Sequence, residues 1–219
     1  MAETESSSAT EEHAQFSPSD GARAAPDRAG DETLNLHAIM PRSRANGPGV
    51  RTVIWFQGCT LGCPHCFNPE THSSTPRMMV SVAELVNGLT RLEGAIEGIT
   101  ISGGEPSQQA EGLLRLLAGV RASTQLSIIL FSGYTLGEIQ RMPLGPAILA
   151  FVDVLIDGRY VHARRLARGL RGSSNQTTHL LTDRYTLEQI ERTPPAEIRI
   201  DADGTIWVTG VAPARVGQE

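Results

Sequence analysis

The sequence predicts an α/β protein built as a partial, open β/α barrel of parallel strands. Short apolar strands alternate with helical segments, which is typical of βα units. Glycine-rich or polar loops follow four of these strands. The chain has 219 residues, and the part outside its polar N-terminus is shorter than the ~250 residues of a complete eight-fold barrel. Because such folds carry their chemistry at the carboxyl ends of the strands, we expect the four loops to form one site.

The first elements of the barrel are predicted between residues 34 and 121. LNLHAIM alternates apolar and polar residues and predicts a strand, and VRTVIWFQG predicts a buried second strand. Ser81 and Glu84 have the spacing of a capping box, which predicts that a helix begins at VAELVNGLTRL. GITIS predicts a short strand, and residues 107–121 carry leucines at helical spacing.

The later elements are predicted in the same way. LSIILF predicts a strand, and a second capping box at Thr135 and Glu138 begins a short helix. AFVDVLIDG predicts another strand, and the arginine-rich segment YVHARRLARGL predicts a helix. EIRIDADGTIWVTG predicts a terminal β-hairpin that turns at Asp203 and Gly204.

Charge divides the chain into a tail and a domain. Residues 1–32 hold eight acidic residues and two arginines, a net charge of −6, whereas the whole chain has a net charge of −5. A stretch this polar buries too little apolar surface to offset its chain entropy. We therefore predict a disordered acidic tail over 1–32, one domain over 33–211 and a flexible C-terminus over 212–219.

Composition also excludes several classes of protein. No run of 18 apolar residues exists, which argues against a membrane span. The acidic balance argues against nucleic acid as the main partner. The polar, acidic start does not resemble a secretory signal. The three cysteines lie within eight residues, too close for a disulfide framework, so we expect a protein of the reducing cytoplasm.

The cysteines Cys59, Cys63 and Cys66 have the spacing C-x3-C-x2-C. Thiolates are soft ligands that select zinc or iron–sulfur clusters. A structural zinc site would need a fourth ligand, for which His65 and His72 are the candidates. A 4Fe-4S cluster on three cysteines would instead leave one iron open to a ligand. The spacing alone leaves both interpretations open.

With the GGEP motif 37 residues beyond Cys66, these cysteines resemble the radical S-adenosylmethionine superfamily. The stretches NGPGVRTVIWFQGCTLGCPHCFNPETH, TISGGEPSQQ, LFSGYTLGEI, DVLIDGRYV and RGSSNQ resemble the activating enzymes of class III ribonucleotide reductase. More distantly, they are similar to the pyruvate formate-lyase activating enzyme. The resemblance extends from about residue 34 to residue 211.

The resemblance implies two cofactors and the residues that hold them. One 4Fe-4S cluster would be bound by Cys59, Cys63 and Cys66, with S-adenosylmethionine on the fourth iron. The residues implied at the methionine ammonium are Gly103, Gly104 and Glu105. The residues implied at the ribose are Ser132 and Gly133. Where the family often carries a lysine for the cofactor carboxylate, this chain, which contains no lysine, offers Arg159.

The resemblance also implies a reaction. Reductive cleavage of S-adenosylmethionine would give a 5′-deoxyadenosyl radical, which would take a hydrogen atom from a glycine of a partner such as anaerobic ribonucleotide reductase. Flavodoxin or ferredoxin would supply the electron. The polar loop RGSSNQ, with Arg171, Ser173, Asn175 and Gln176, is expected to face the cofactor or the substrate. His65 departs from the family, which often has a large residue against the adenine at this position.

Two other functions remain open on the sequence. A stand-alone radical enzyme that acts on a small molecule or peptide would need the same cysteine and GGEP motifs. A non-catalytic zinc-binding module would need only the cysteines and a histidine. Trp55 and Trp207 are expected to be core or partly buried residues of the predicted strands.

Overall fold

The computed structural model describes residues 32–212. The predicted tail therefore lies outside the described residues except for Glu32, and the predicted flexible C-terminus lies outside them except for Ala212. The domain is a mixed α/β structure, as its alternating strands and helices predicted. Its helices are α1 (Val82–Leu92), α2 (Ala110–Ser123), α3 (Leu136–Gln140), α4 (Gly145–Leu149) and α5 (Leu187–Glu191). No helix within residues 32–212 is long and apolar enough to cross a membrane.

Seven strands form one sheet whose centre is parallel. In spatial order they are β3 (Met78–Ser81), β1 (Thr33–Ser43), β2 (Arg51–Phe56), β4 (Gly98–Gly103), β5 (Ser127–Ser132), β6 (Val154–Asp157) and β9 (Thr177–Leu180). Strands β2, β4, β5 and β6 are parallel to one another, whereas β1, β3 and β9 pair antiparallel at the two sides. The carboxyl ends of the four parallel strands consequently meet at one edge, as the sequence predicted.

The core lies on both faces of this sheet, because successive strand residues point to opposite sides. On β5, Ile128 and Leu130 join the large cluster that contains the leucines of α1 and α2. Ile129, between them, joins a smaller cluster with Leu170 and Tyr185 on the other face. The second face is the one that borders the site, because Leu170 also lines the cavity described below.

Buried Arg51 holds the parallel strands in register at the opposite, amino-terminal edge. Its guanidinium donates to Ile99 O at 2.6 Å, to Thr100 Oγ1 at 2.8 Å and to Ser127 Oγ at 2.8 Å. These bonds join the beginning of β2 to β4 and β5. A buried guanidinium needs this many acceptors because an unpaired one would carry a large desolvation cost.

The helix predicted for YVHARRLARGL is wrong. Residues 162–164 form a single 3-10 turn, followed by the hairpin of β7 (Arg165–Arg168) and β8 (Arg171–Ser173). Leu170 is the one apolar side chain of this segment that is buried, so a helix would have no apolar stripe to pack. Gly169 takes φ of 57°, the left-handed conformation that a tight turn requires.

The predicted C-terminal hairpin is confirmed. Strands β10 (Glu197–Ile200) and β11 (Ile206–Thr209) pair antiparallel about the Asp203–Gly204 turn. The hairpin is attached to the rest of the domain by polar bonds. Glu197 Oε2 accepts from Ser43 Oγ at 2.6 Å, and Thr209 Oγ1 accepts from Asn46 Nδ2 at 2.9 Å.

Candidate active site

The three cysteines lie on the loop that follows β2. All three are half-buried free thiols. Backbone bonds fold the loop back on itself: Gly58 N donates to Thr71 O at 2.8 Å, and Cys66 N donates to Cys63 O at 3.2 Å. Burial raises the pKa of the Cys59 and Cys66 thiols, and the neighbouring cysteines raise it further. A bound metal would instead favour the thiolate forms.

The glycine pair at the end of β4 fits against this loop. Gly104 N donates to Phe56 O at 2.8 Å, and Glu105 N donates to Gly58 O at 2.9 Å. A Cβ on Gly104 would lie 2.3 Å from the carbonyl oxygen of Gly58. Gly103 has φ of 103°, and a Cβ there would lie 2.4 Å from Phe56 N. Both positions thus require glycine because two backbone segments approach each other at the strand ends.

Glu105 joins the ends of β4 and β5. Its carboxylate is fully buried and accepts from Ser107 N at 3.0 Å, from Ser132 Oγ at 2.9 Å and from Gly133 N at 2.7 Å. Burial raises the pKa of Glu105, and these donors oppose that rise. The carboxylate therefore fixes Ser132 and Gly133 at the edge of the sheet.

We expect Glu105→Gln to lower the free energy of unfolding by about 1–3 kcal/mol, because an amide nitrogen would then face a donor in a buried site. The measurement is the midpoint of thermal unfolding of the anaerobic, cluster-loaded protein. Glu111→Gln, an exposed isosteric change on α2, is the control and should stay within about 0.5 kcal/mol of wild type. Equal midpoints for the two variants would contradict this role of Glu105.

Arg159 points to a neighbouring carboxylate. Its Nη1 lies 3.0 Å from Glu138 Oε2, and its guanidinium lies 5.4 Å from the ring centre of Tyr134. The bonds from Arg159 and Thr135 lower the pKa of Glu138 to about 2. Arg159 does not line the cavity described below. To bind a cofactor carboxylate, the Arg159 guanidinium would therefore have to leave Glu138.

The RGSSNQ segment forms an ordered polar wall next to β6. Gln176 Oε1 accepts from Gly172 N at 2.8 Å and from Ser173 N at 3.1 Å, while Gln176 Nε2 donates to Gly158 O at 2.9 Å. Asn175 Nδ2 donates to Arg159 O at 2.8 Å. Gln176 reaches the cavity, as does Gly172. Arg171, in contrast, pairs with Glu191 at 2.8 Å.

These elements surround one cavity of about 390 Å³. Its lining contains the residues predicted to hold the cluster, the methionine ammonium and the ribose: Cys59, Cys63, Cys66, Gly103, Gly104, Glu105, Ser132 and Gly133. Arg159 and, of the RGSSNQ segment, Arg171, Ser173 and Asn175 do not line it. The volume suits a small cofactor. The three thiols of its lining are soft donors of the kind that select an iron–sulfur cluster, and the backbone and hydroxyl groups of the rim suit a polar ligand.

The two histidines considered as zinc ligands do not line the cavity. His65 is exposed and does not line the cavity, and its φ is 57°. His72 has a buried Nε2 with no hydrogen-bond partner among the described residues. Within residues 32–212, no three His, Cys, Asp or Glu side chains are grouped to hold a single metal ion.

Sequence reasoning missed the contribution of the C-terminal hairpin to the cavity. Trp207, expected in the core or partly buried on its strand, is partly buried and lines the cavity together with Val208 and Thr209. Its indole N–H donates to Asp201 Oδ2 at 2.8 Å, which fixes the ring. No sequence signal distinguishes this wall from an ordinary strand, because IWVT has the same pattern in both settings. Trp55, also partly buried, lines the same cavity.

One cavity lies at the carboxyl ends of the parallel strands, and three thiols and a glycine-rich rim line it. This arrangement is typical of iron–sulfur enzymes that hold a second cofactor beside the cluster. Residues 45–179 match the family described as "4Fe-4S single cluster domain". The chain belongs to this family, that of the radical S-adenosylmethionine enzymes that activate glycyl radical enzymes. The resemblance inferred from the motifs is thereby confirmed, as are a 4Fe-4S cluster and S-adenosylmethionine as cofactors.

Several curated proteins are similar over most of their length. The anaerobic ribonucleoside-triphosphate reductase-activating protein of Escherichia coli K12 is 31% identical over 155 residues, which cover 68% of this chain and 99% of the relative. The protein of the same name from Enterobacteria phage T4 is 33% identical and covers 68% of this chain and 96% of the relative. The pyruvate formate-lyase-activating enzyme of Clostridium pasteurianum is 33% identical over 58% of this chain and 52% of the relative.

Among solved structures, QueE from Escherichia coli is similar with a TM-score of 0.36 and 18% identity, over 48% of this chain and 54% of that chain.

Proposed function

We propose that this protein installs a glycyl radical on a partner enzyme, and that the partner is an anaerobic ribonucleoside-triphosphate reductase. The observation that carries the proposal is that the three thiols and the Gly103–Glu105 and Ser132–Gly133 segments line one cavity. Support for the partner comes from relatives named for activating that reductase, which this chain matches over almost their whole length.

The proposed roles follow from the atoms that each residue offers to the cavity. Cys59, Cys63 and Cys66 supply the three thiolates for the cluster. The backbone at Gly103 and Gly104 binds the methionine part of the cofactor, and Glu105 acts by fixing the rim. The Ser132 and Gly133 segment is proposed at the ribose. Arg159 is proposed at the cofactor carboxylate, after it leaves Glu138.

When bound, the reduced cluster and S-adenosylmethionine supply a carbon-centred radical that can remove a hydrogen atom from an unactivated C–H bond. The chain's own contribution is to hold the reactants in line and to exclude water. The buried Glu105 carboxylate holds the rim in place for the reactants. The Trp55 and Trp207 rings on the cavity wall exclude water.

The finer architecture is part of the proposal. We infer that the sheet is curved into an open β/α barrel whose interior holds the cofactors, and that residues 33–211 are the catalytic unit. An acidic tail over 1–32 and a flexible end over 212–219 would then be accessory. We further propose that the enzyme works in the reducing cytoplasm with a flavodoxin or a ferredoxin as its electron donor.

The test is carried out on anaerobically purified, dithionite-reduced protein. It should convert S-adenosylmethionine to methionine and 5′-deoxyadenosine, and with its reductase partner it should produce a doublet in the electron paramagnetic resonance spectrum. The doublet is expected because a glycyl radical keeps one α-hydrogen. The control is the reductase with its target glycine replaced by alanine, which should give no doublet.

Two results would contradict this proposal and favour another function. Cofactor cleavage without a doublet on any candidate reductase would favour a radical enzyme that acts on a small molecule or peptide. Zinc without iron or sulfide in the anaerobic protein would favour a non-catalytic zinc module.

A further inference from the structure

Positive charge is concentrated next to the cysteine loop, although the chain as a whole has a net charge of −5. No acidic residue occurs between Asp157 and Asp183, whereas the same segment holds five arginines and two histidines. Three of these arginines are neutralised within the domain: Arg159 pairs with Glu138, and Arg168 and Arg171 pair with Glu191. The other two are Arg164 and Arg165.

Arg164 and Arg165 are exposed, and neither has a carboxylate partner within residues 32–212. They are consecutive residues of a segment in which Arg165 and His162 contact the residues that flank Cys66. The Arg165 guanidinium is 5.2 Å from the ring centre of Phe67, and the His162 ring is 5.0 Å from the His65 ring. We call the exposed residues His65, His162, Arg164 and Arg165 the arginine surface.

Backbone geometry also sets this surface apart. His65 and Ala167 are the two non-glycine residues with positive φ in the part of the chain that the structure describes, at 57° and 52°. Such conformations cost free energy and occur preferentially at functional sites. His65 belongs to the arginine surface and lies within the cysteine loop, and Ala167 lies in β7, two residues beyond Arg165.

Two acidic groups lie close to the cysteines. Glu105 is buried beneath the rim, and Glu70, which lies near Cys66, is exposed and lines the cavity. Neither forms an ion pair with Arg164 or Arg165, so within residues 32–212 the two exposed guanidinium groups have no carboxylate partner, and that of Arg165 lies against the cysteine loop.

We propose that the arginine surface is the docking site for an acidic one-electron carrier protein that reduces the cluster. The inference rests on the proposed function, because it requires a cluster on Cys59, Cys63 and Cys66. One electron leaves the reduced carrier and enters the cysteine-bound cluster. No bond forms or breaks in this step, and the carrier is left one electron more oxidised.

The choice of occupant follows from charge and position. Complementary charge steers encounter between proteins and raises association rates, which fall as salt is added. A carrier must come close to the cluster but does not enter the cavity, so a surface beside the loop suits it. The glycine of a protein substrate must instead enter the cavity, and none of the four residues of the arginine surface lines that cavity.

The test compares Arg164→Glu/Arg165→Glu with Arg91→Glu/Arg184→Glu. The control arginines are also exposed. Arg91 lies in the last turn of α1, and Arg184 precedes α5 and donates to Gln125 O. Binding of an FMN-loaded, acidic bacterial flavodoxin to the cluster-loaded protein is measured by surface plasmon resonance. Cofactor cleavage is measured with reduced flavodoxin and, separately, with dithionite, which needs no docking.

We expect the Arg164/Arg165 variant to bind flavodoxin on the order of 10-fold or more weakly at low salt, with a smaller difference near 0.15 M ionic strength. Its flavodoxin-driven cleavage should fall in parallel, while its dithionite-driven cleavage and the control variant should match wild type.

Three results would overturn the inference. Equal flavodoxin binding by both variants would show that the surface does not dock the carrier. An equal loss with dithionite would show that the arginines act on the cluster itself. If dithionite-driven glycyl radical formation is lost while cofactor cleavage is unchanged, the surface binds the protein that receives the radical. Wild-type protein that cleaves no cofactor with dithionite would instead overturn the proposed function, and the binding measurement would still test the docking.

Discussion

A Cys63→Ala variant is expected to hold no 4Fe-4S cluster, and its cleavage of S-adenosylmethionine should fall to the level of protein-free buffer. The chain contains three cysteines, all on the loop after β2. Loss of one thiolate therefore cannot be compensated, and a second iron would be left without a protein ligand. The measurements are iron and sulfide content, the brown absorbance of the reconstituted protein and the yield of 5′-deoxyadenosine.

His65→Ala and His72→Ala are the matched controls for the Cys63 variant. A zinc site would need one of these histidines as its fourth ligand, whereas an iron–sulfur cluster on three cysteines needs neither. We expect both histidine variants to keep wild-type iron content. A Cys63→Ala protein with full iron and sulfide, or a histidine variant that loses its metal, would contradict the proposed cluster ligands.

The parts of the fold that depend on neighbouring residues could be predicted from the sequence. The capping boxes at Ser81 and Thr135 begin α1 and α3 as expected, because the side chain and the amide it bonds are three residues apart. The turn at Asp203 and Gly204 likewise identified its hairpin. The meeting of the strand ends also followed, since parallel strands share one carboxyl edge.

Elements stabilised by distant contacts could not be predicted. The edge strands β3 and β9 are four residues long and half exposed, so they carry little apolar pattern. The segment before Leu170 has good helix formers, yet it forms a hairpin because the domain buries one apolar side chain there. Propensity gave the wrong structure because tertiary packing decided it.

The residues of the site likewise divide into those that could be predicted from the sequence and those that could not. The cysteine and glycine motifs identified the cavity because each follows a parallel strand. The orientation of Arg159 toward Glu138 could not be inferred, since the two residues are 21 positions apart and meet only in the folded domain. The place of Trp207 on the cavity could not be inferred either, because a partly buried strand side chain and a cavity wall have the same sequence pattern.

Gly104→Ala is expected to damage the site severely, although it adds a single methyl group. The added Cβ would lie 2.3 Å from Gly58 O and 3.1 Å from Thr71 O, both of which are backbone atoms of the cysteine loop. Neither can rotate away, so the loop or the end of β4 must shift. Overpacking of this kind costs about 1–3 kcal/mol of stability. A misplacement of about 1 Å near a reacting centre can cost on the order of 100-fold in rate.

The control for Gly104 is Gly137→Ala on α3. A Cβ at Gly137 has Arg141 Nη2 as its nearest neighbour, at 4.0 Å, and alanine favours helix by about 0.5–1 kcal/mol over glycine. Gly112, which from the sequence looks like a suitable helical control, is unsuitable because its Cβ would lie 2.7 Å from Leu34 Cδ2 in the core.

The two glycine variants are compared by thermal midpoint, iron content and S-adenosylmethionine affinity under anaerobic conditions. We expect Gly137→Ala to match or slightly exceed wild type in all three. Gly104→Ala should melt earlier and cleave the cofactor on the order of 100-fold more slowly, since the thiols and the methionine-binding backbone would no longer face the same point. If Gly104→Ala keeps wild-type cleavage and affinity, the cysteine loop and the glycine rim do not form one rigid site.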